Sequence, residues 1–113
     1  MIGTPVEVTF IIDGPKITAY LLNTKSDRGA SKAKYLMRYG FDVSQPKVLA
    51  DALAAHAMGN QPGTPQLQAA GAHRVRYDGR VRAPDGRDMQ LSSVWEALEQ
   101  DGQHIMRFIT AFP

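Results

Sequence analysis

His73-Arg74-Val75-Arg76-Tyr77-Asp78-Gly79-Arg80-Val81-Arg82-Ala83 reads as a strand, with a period of two. Val75, Tyr77, Val81 and Ala83 share one side, and Arg74, Arg76, Asp78, Arg80 and Arg82 share the other. One side packs and the other carries charge, so the segment belongs to a sheet with one covered face. Pro84-Asp85-Gly86 follows as a turn, with glycine where a positive φ is expected. A three-residue turn sets Val81 opposite Met89 and Val75 opposite Trp95. A two-residue turn places Met89 beside Arg82 and breaks the apolar face, so the three-residue turn is preferred. Asp78-Gly79 is also a hairpin dipeptide, but it ranks second because the alternation runs straight through Gly79, which then reads as a bulge.

Outward from this hairpin, the third strand covers Asp88 to Trp95 or slightly beyond. Glu99 to Gln103 connects it to a last strand, His104 to Phe112. Upstream, Val6, Val8, Phe10 and Ile12 alternate in a half-buried strand that ends at Asp13-Gly14-Pro15. Ile17 to Leu22 is an apolar run that periodicity assigns to neither strand nor helix, read as extended or as a short turn. Asp27 is a cap for a helix over Gly29 to Tyr39 with Ala33, Leu36, Met37 and Tyr39 inward, and Gly40 ends it. A second helix runs from about Ser44 to Met58, with Pro46 in its first turn and Leu49, Ala52, Leu53 and His56 as its stripe. Residues 59–71, rich in Gly, Asn, Gln, Pro and Thr, read as an irregular loop that serves as a lid or partner contact. The expectation is an α+β fold: an N-terminal strand and two helices packed on a C-terminal antiparallel meander of three to four strands.

The 113 residues suffice for a single domain over 1–113 with its own core. With no cysteine, a disulfide framework, a thiolate metal site and a cysteine nucleophile are all excluded. No apolar run approaches a membrane span and the N-terminus has no signal-peptide pattern, so the expectation is a cytoplasmic protein without membrane contact. The net charge is only +2, yet five arginines face two aspartates between Gly71 and Arg87. Such local charge suits an anionic ligand or an acidic partner.

The chain as a whole resembles a family of uncharacterised small bacterial proteins. The residues that carry the resemblance are Lys16-Ile17-Thr18-Ala19-Tyr20-Leu21-Leu22-Asn23, Ser31-Lys32-Ala33 with Gly40-Phe41, Pro84-Asp85-Gly86-Arg87, Val94-Trp95 and Thr110-Ala111-Phe112-Pro113. It departs from the pattern at Thr24-Lys25-Ser26-Asp27, where the family carries a histidine-containing stretch. The resemblance implies a toxin-like member of a two-gene module with a cognate protein partner. The helix-then-antiparallel-sheet order is similar to that of the barnase, EndoU, colicin and RelE group of metal-independent ribonucleases.

Metal-free RNA cleavage needs a base, an acid and cations around the phosphorane. His73 is the candidate base or acid, and Arg74, Arg76 and Lys32 are the candidate stabilisers, with no cofactor and no metal. Arg74, Arg76, Arg80, Arg82 and Lys34 are candidate contacts for nucleic acid or an acidic cognate protein, because guanidinium forks fit phosphate and carboxylate oxygens. The same arginines also serve as plain solvated charge on an exposed sheet face. Two readings stand beside the ribonuclease: a non-enzymatic module that binds an acidic protein, and a homo-oligomeric accessory protein pairing through an exposed edge at Phe108 to Phe112. His56 and His104 have no second ligand at metal spacing, and Ser92, Ser93 and Thr110 read as strand residues rather than nucleophiles.

Overall fold

A computed structural model describes residues 8–25, 30–67 and 73–113. In chain order the elements are β1 (Val8–Ile11), a π-helical turn (Lys16–Leu21), α1 (Ala30–Arg38), α2 (Pro46–Gly59), β2 (Thr64–Leu67), β3 (His73–Arg82), β4 (Asp88–Gln100) and β5 (Gln103–Phe112). The strands form one sheet in the order β1-β5-β4-β3-β2. The fold is α+β, with helices on one face of a largely antiparallel sheet.

The β3–β4 register follows from keeping the apolar face continuous. Val81 lies opposite Met89 and Val75 opposite Trp95. Ala83 N–H donates to the Arg87 carbonyl at 2.8 Å, closing the turn over Pro84, Asp85 and Gly86. That turn docks on the C-terminus of α1. Asp85 N–H donates to the Tyr39 carbonyl, and the Arg87 guanidinium donates to the Arg38 carbonyl at 2.9 Å while lying 4.5 Å from the Tyr39 ring centroid. Two otherwise orphaned helix carbonyls are thereby satisfied. Gly40, at φ 98°, ends the helix in the left-handed region, and Phe41 N–H donates back to the Leu36 carbonyl.

Trp95 sits at the centre of the core, fully buried. Phe10 of β1 meets it edge-on at 5.2 Å and Phe108 of β5 at 5.3 Å. Each such aromatic pair contributes about 1 kcal/mol beyond area burial. From the helices, Leu49, Leu53, His56 and Ala57 of α2 and Ala33 and Leu36 of α1 close the core. Met37, expected inward, is exposed, because α1 is short and only its 33/36 side meets the π-helical turn.

His56 is buried within an apolar layer. Its Nε2 faces the Leu91 carbonyl at 2.8 Å and the Gly79 carbonyl at 3.3 Å, so Nε2 carries the proton. Nδ1 then accepts from the Ser93 hydroxyl at 2.9 Å, whose oxygen in turn accepts from Trp95 Nε1 at 3.0 Å. Every side-chain polar group of His56, Ser93 and Trp95 is thus paired, which is what makes a histidine acceptable there. Gly79 is neither a turn nor a bulge. A Cβ on it would lie 2.0 Å from the Asn60 Oδ1, so glycine leaves room for the Asn60 side chain, which donates to the His56 carbonyl at the end of α2.

Several expectations change. The irregular loop expected over 59–71 contains β2, which pairs Thr64–Leu67 with Arg76–His73 and covers the β3 edge. Polar composition hid it, since an edge strand needs little apolar pattern. Residues 68–72 of that stretch lie outside the described residues, as do Val6 and the Asp27 cap. The run Ile17 to Leu22 is neither extended nor an ordinary turn but part of the π-helical turn, with Ile17, Leu21 and Leu22 buried. The expected antiparallel meander is present, β2 to β5 in sequence order, and β1 joins it in parallel along β5, Val8 opposite His104 to Ile11 opposite Arg107, which makes the sheet mixed and five-stranded. Within the edge expected at Phe108 to Phe112, Phe108 itself is buried core, while β1 covers β5 only from His104 to Arg107 and among the described residues no strand pairs with the outer side of Phe108 to Phe112.

Candidate functional site

β1 stops at Ile11, opposite Arg107, and among the described residues no strand follows along β5 beyond it. The register between β4 and β5 also shifts at Val94/Trp95: Val94 pairs with Thr110 and Trp95 with Phe108, which leaves Ile109 as an extra residue. The π-helical turn and α1 fill this corner. Lys16 Nζ donates to the Ile109 carbonyl at 3.1 Å, capping a carbonyl that the bulge leaves outside the ladder. The result is a cleft of about 610 Å³ lined by Lys16, Tyr20, Lys32, Ile109 and Thr110.

Helical spacing puts Lys16 and Tyr20 on the same side of the turn, with the ammonium 5.7 Å from the ring centroid. Lys32, from α1, donates to the Tyr20 hydroxyl and, at 3.0 Å, to the Thr110 hydroxyl. Tyr20 and Thr110 hydroxyls are themselves 3.0 Å apart. Partial burial pulls the Tyr20 phenol up, but the hydrogen bonds from Lys32 and Thr110 and the charges of Lys32 and Lys16 outweigh it. The phenol is held below its ordinary value.

The cleft continues onto the arginine face. The Phe112 ring lies 6.0 Å from Lys32 Nζ and 4.9 Å from the Arg76 guanidinium carbon, so two cations border one aromatic ring. Arg76 Nε donates to Asp78 Oδ1 at 2.9 Å and its Nη2 to the Ser92 hydroxyl at 3.3 Å. Ser92 donates to the same Asp78 oxygen. The Ser92 hydroxyl and then Arg76 hold the Asp78 carboxyl below its usual range, against a small opposing effect of burial.

Of the residues expected from sequence, the structure brings together Lys32 and Arg76, on either side of Phe112. Arg74 shares the face of Arg76, with its Nε buried and without a hydrogen-bond partner among the described residues. Arg80 and Arg82 lie farther along that face, exposed, with Arg82 paired to Asp88 at 2.9 Å. Lys34 is exposed on α1, outside the cleft lining. His73 is exposed at the start of β3 and, by strand alternation, shares the face of Val75 and Tyr77, opposite to Arg74 and Arg76. It makes no hydrogen bond with Lys32, Arg74 or Arg76. Lys16, Tyr20, Thr110 and Phe112 were not singled out as a site. All four lie in stretches that carry the family resemblance, which marks the stretches but not a site, and the i, i+4 spacing of Lys16 and Tyr20 is readable only once the run is known to be helical.

Residues 6–113 match the family model described as a domain of unknown function, DUF6883. No curated protein matches the chain. Among solved structures, a chain of a contact-dependent growth inhibition toxin–immunity protein complex from Klebsiella pneumoniae 342 is similar in fold. Its TM-score is 0.65 at 22% identity, with 90% of this chain and 97% of that chain covered.

Proposed function

This chain belongs to the DUF6883 family, and we propose that it is a toxin-like protein acting as a metal-independent ribonuclease at the Tyr20–Lys32–Thr110 cleft. The observation that carries the reading is the convergence of Lys16 and Lys32 on one phenol held below its ordinary value, in a cleft open to solvent. The fold shared with a chain of a toxin–immunity complex supports the toxin-like part and a cognate protein partner. The arginine face suits an acidic one.

In this reading the RNA 2′-oxygen attacks the adjoining phosphorus. An O2′–P bond forms and the P–O5′ bond breaks, leaving a 2′,3′-cyclic phosphate and a 5′-hydroxyl. Lys16 and Lys32 balance the charge on the phosphorane oxygens. Tyr20 gives its proton to the departing O5′, and the phenolate left behind is stabilised by the same two ammonium groups. The cleft lining holds neither carboxylate nor imidazole, so the 2′-hydroxyl proton leaves to water. Arg76 and Phe112 hold the neighbouring nucleotide by charge and by stacking.

The test is incubation of the purified chain with RNA in excess EDTA, with product ends identified by phosphatase and kinase treatment. Cyclic-phosphate ends are expected, formed about 100-fold more slowly by Tyr20→Phe. Intact RNA at high protein concentration overturns the reading and moves the arginine face to a non-enzymatic module for an acidic protein.

A further inference from the structure

We infer that Asp78, clamped by Ser92 and Arg76, reads guanine in the nucleotide adjoining the cleft. This inference rests on the ribonuclease reading and goes beyond it by naming the base.

Asp78 and Arg76 alternate on the open face of β3, and neither is left to wander. Ser92 donates to Asp78 Oδ1 and accepts from Arg76 Nη2, while Arg76 Nε donates to the same carboxylate oxygen. Three side chains from two neighbouring strands thus lock each other's rotamers, the preorganisation that recognition by hydrogen bonds requires. Both hydrogen bonds fall on Oδ1. Oδ2 takes no hydrogen bond from a described residue, and the Asp78 side chain is 47% exposed. An ionised carboxylate, which can only accept, is therefore presented outward beside a guanidinium, which can only donate.

That pattern has one complement among the four bases. Guanine carries two donors side by side, N1–H and the N2 amino group, with the O6 acceptor next to them. Adenine and cytosine each set an amino group beside a ring lone pair, which a carboxylate repels. Uracil flanks its single N–H with two carbonyl oxygens. Asp78 suits the two guanine donors and Arg76 suits O6, the charge-assisted pairing that discriminates bases most strongly. Position agrees with chemistry. Phe112 borders both Lys32 in the cleft and Arg76 in the clamp, so a nucleotide whose phosphate rests on Lys32 carries its base towards the clamp.

The experiment maps cut sites of the wild-type chain on an RNA containing every dinucleotide step, beside Asp78→Asn, with circular dichroism confirming that both fold. Wild type is expected to cut next to guanine, on one constant side, at least about tenfold more often than next to any other base. In Asp78→Asn the clamp holds the amide oxygen, because Ser92 and Arg76 both donate to it, and turns the Nδ2 amino group outward, so the acceptor that guanine needs is gone and the preference for guanine is expected to be lost. Robust cutting without base preference, or guanine preference retained in Asp78→Asn, overturns the inference and leaves the ribonuclease reading standing. RNA left uncut by wild type overturns both. Titration of wild type with the four nucleoside 3′-monophosphates is the second readout: guanosine is expected to bind tightest, and equal binding of all four counts against the inference in the same way.

Discussion

Lys32 Nζ donates a hydrogen bond to the hydroxyl of Tyr20, twelve residues earlier in the chain and on a different helical element. The bond joins the only lysine of α1 that lines the cleft to a phenol that the π-helical turn aims at the same point. Its consequence is electrostatic, because the ammonium favours the phenolate.

Removing that ammonium reverses the shift. In Lys32→Met the hydrogen bond and the largest nearby charge disappear while the burial remains, so Tyr20 is expected to titrate at higher pH than in wild type. Ultraviolet difference titration, with Tyr20→Phe identifying the signal among four tyrosines, measures it. An unchanged titration removes Lys32 as the cause.

Cleavage follows the same groups. Tyr20→Phe and Lys32→Ala are each expected to lower the rate by about 100-fold, whereas His73→Ala, on the opposite face, leaves it unchanged. Because Tyr20 must be protonated to act, the rate rises with pH as the 2′-hydroxyl loses its proton more readily, then falls as Tyr20 ionises. The falling limb is expected below pH 10, the ordinary phenol value. A limb above it, or a dead His73→Ala enzyme, contradicts the assignment.

Binding along the arginine face is expected to weaken steeply with salt. Arg76→Ala or Arg80→Ala lowers RNA affinity and flattens the salt slope by about one unit for each phosphate that is no longer neutralised. Filter binding across a salt series measures both, and slopes identical to wild type argue for a face that meets protein instead.

The buried histidine relay is expected to govern stability rather than activity. Ser93→Ala strands Trp95 Nε1 and His56 Nδ1 and costs about 2 kcal/mol, and His56→Ala adds a cavity and costs about 3 kcal/mol. Gly79→Ala pushes Asn60 away from its bond to the His56 carbonyl and costs about 1 kcal/mol, with a smaller loss when Asn60 is already Ala. Urea denaturation reads all three.

Asp78 ties stability to acid pH. Its folded value is depressed, so its contribution is present above the unfolded value of 3.8 and is lost as pH falls below that towards the folded value. Asp78→Asn is expected to flatten the acid side of the stability profile, and a profile identical to wild type breaks the link to Ser92 and Arg76.

The hairpin was legible from sequence because strand alternation is local: each residue of β3 and β4 declares its face by parity, and the turn residues then leave one register that keeps Val81, Met89, Val75 and Trp95 together. The two helices, Gly40 as a stop and the inward placement of Leu49, Leu53 and His56 follow from equally local periodicity. Only the tertiary structure decided the rest. β2 carries no apolar pattern, since it needs only the unpaired backbone of β3. The parallel pairing of β1 with β5 joins segments more than 90 residues apart, which no local signal records. The cleft depends on that distant pairing: it exists where β1 ends, at a bulge in β5 that opens beside a helical turn periodicity did not resolve. Lys16, Tyr20, Lys32 and Thr110 become one site there because an unfilled sheet corner and an uncapped carbonyl drew them together, a cause that belongs to packing rather than to the order of residues.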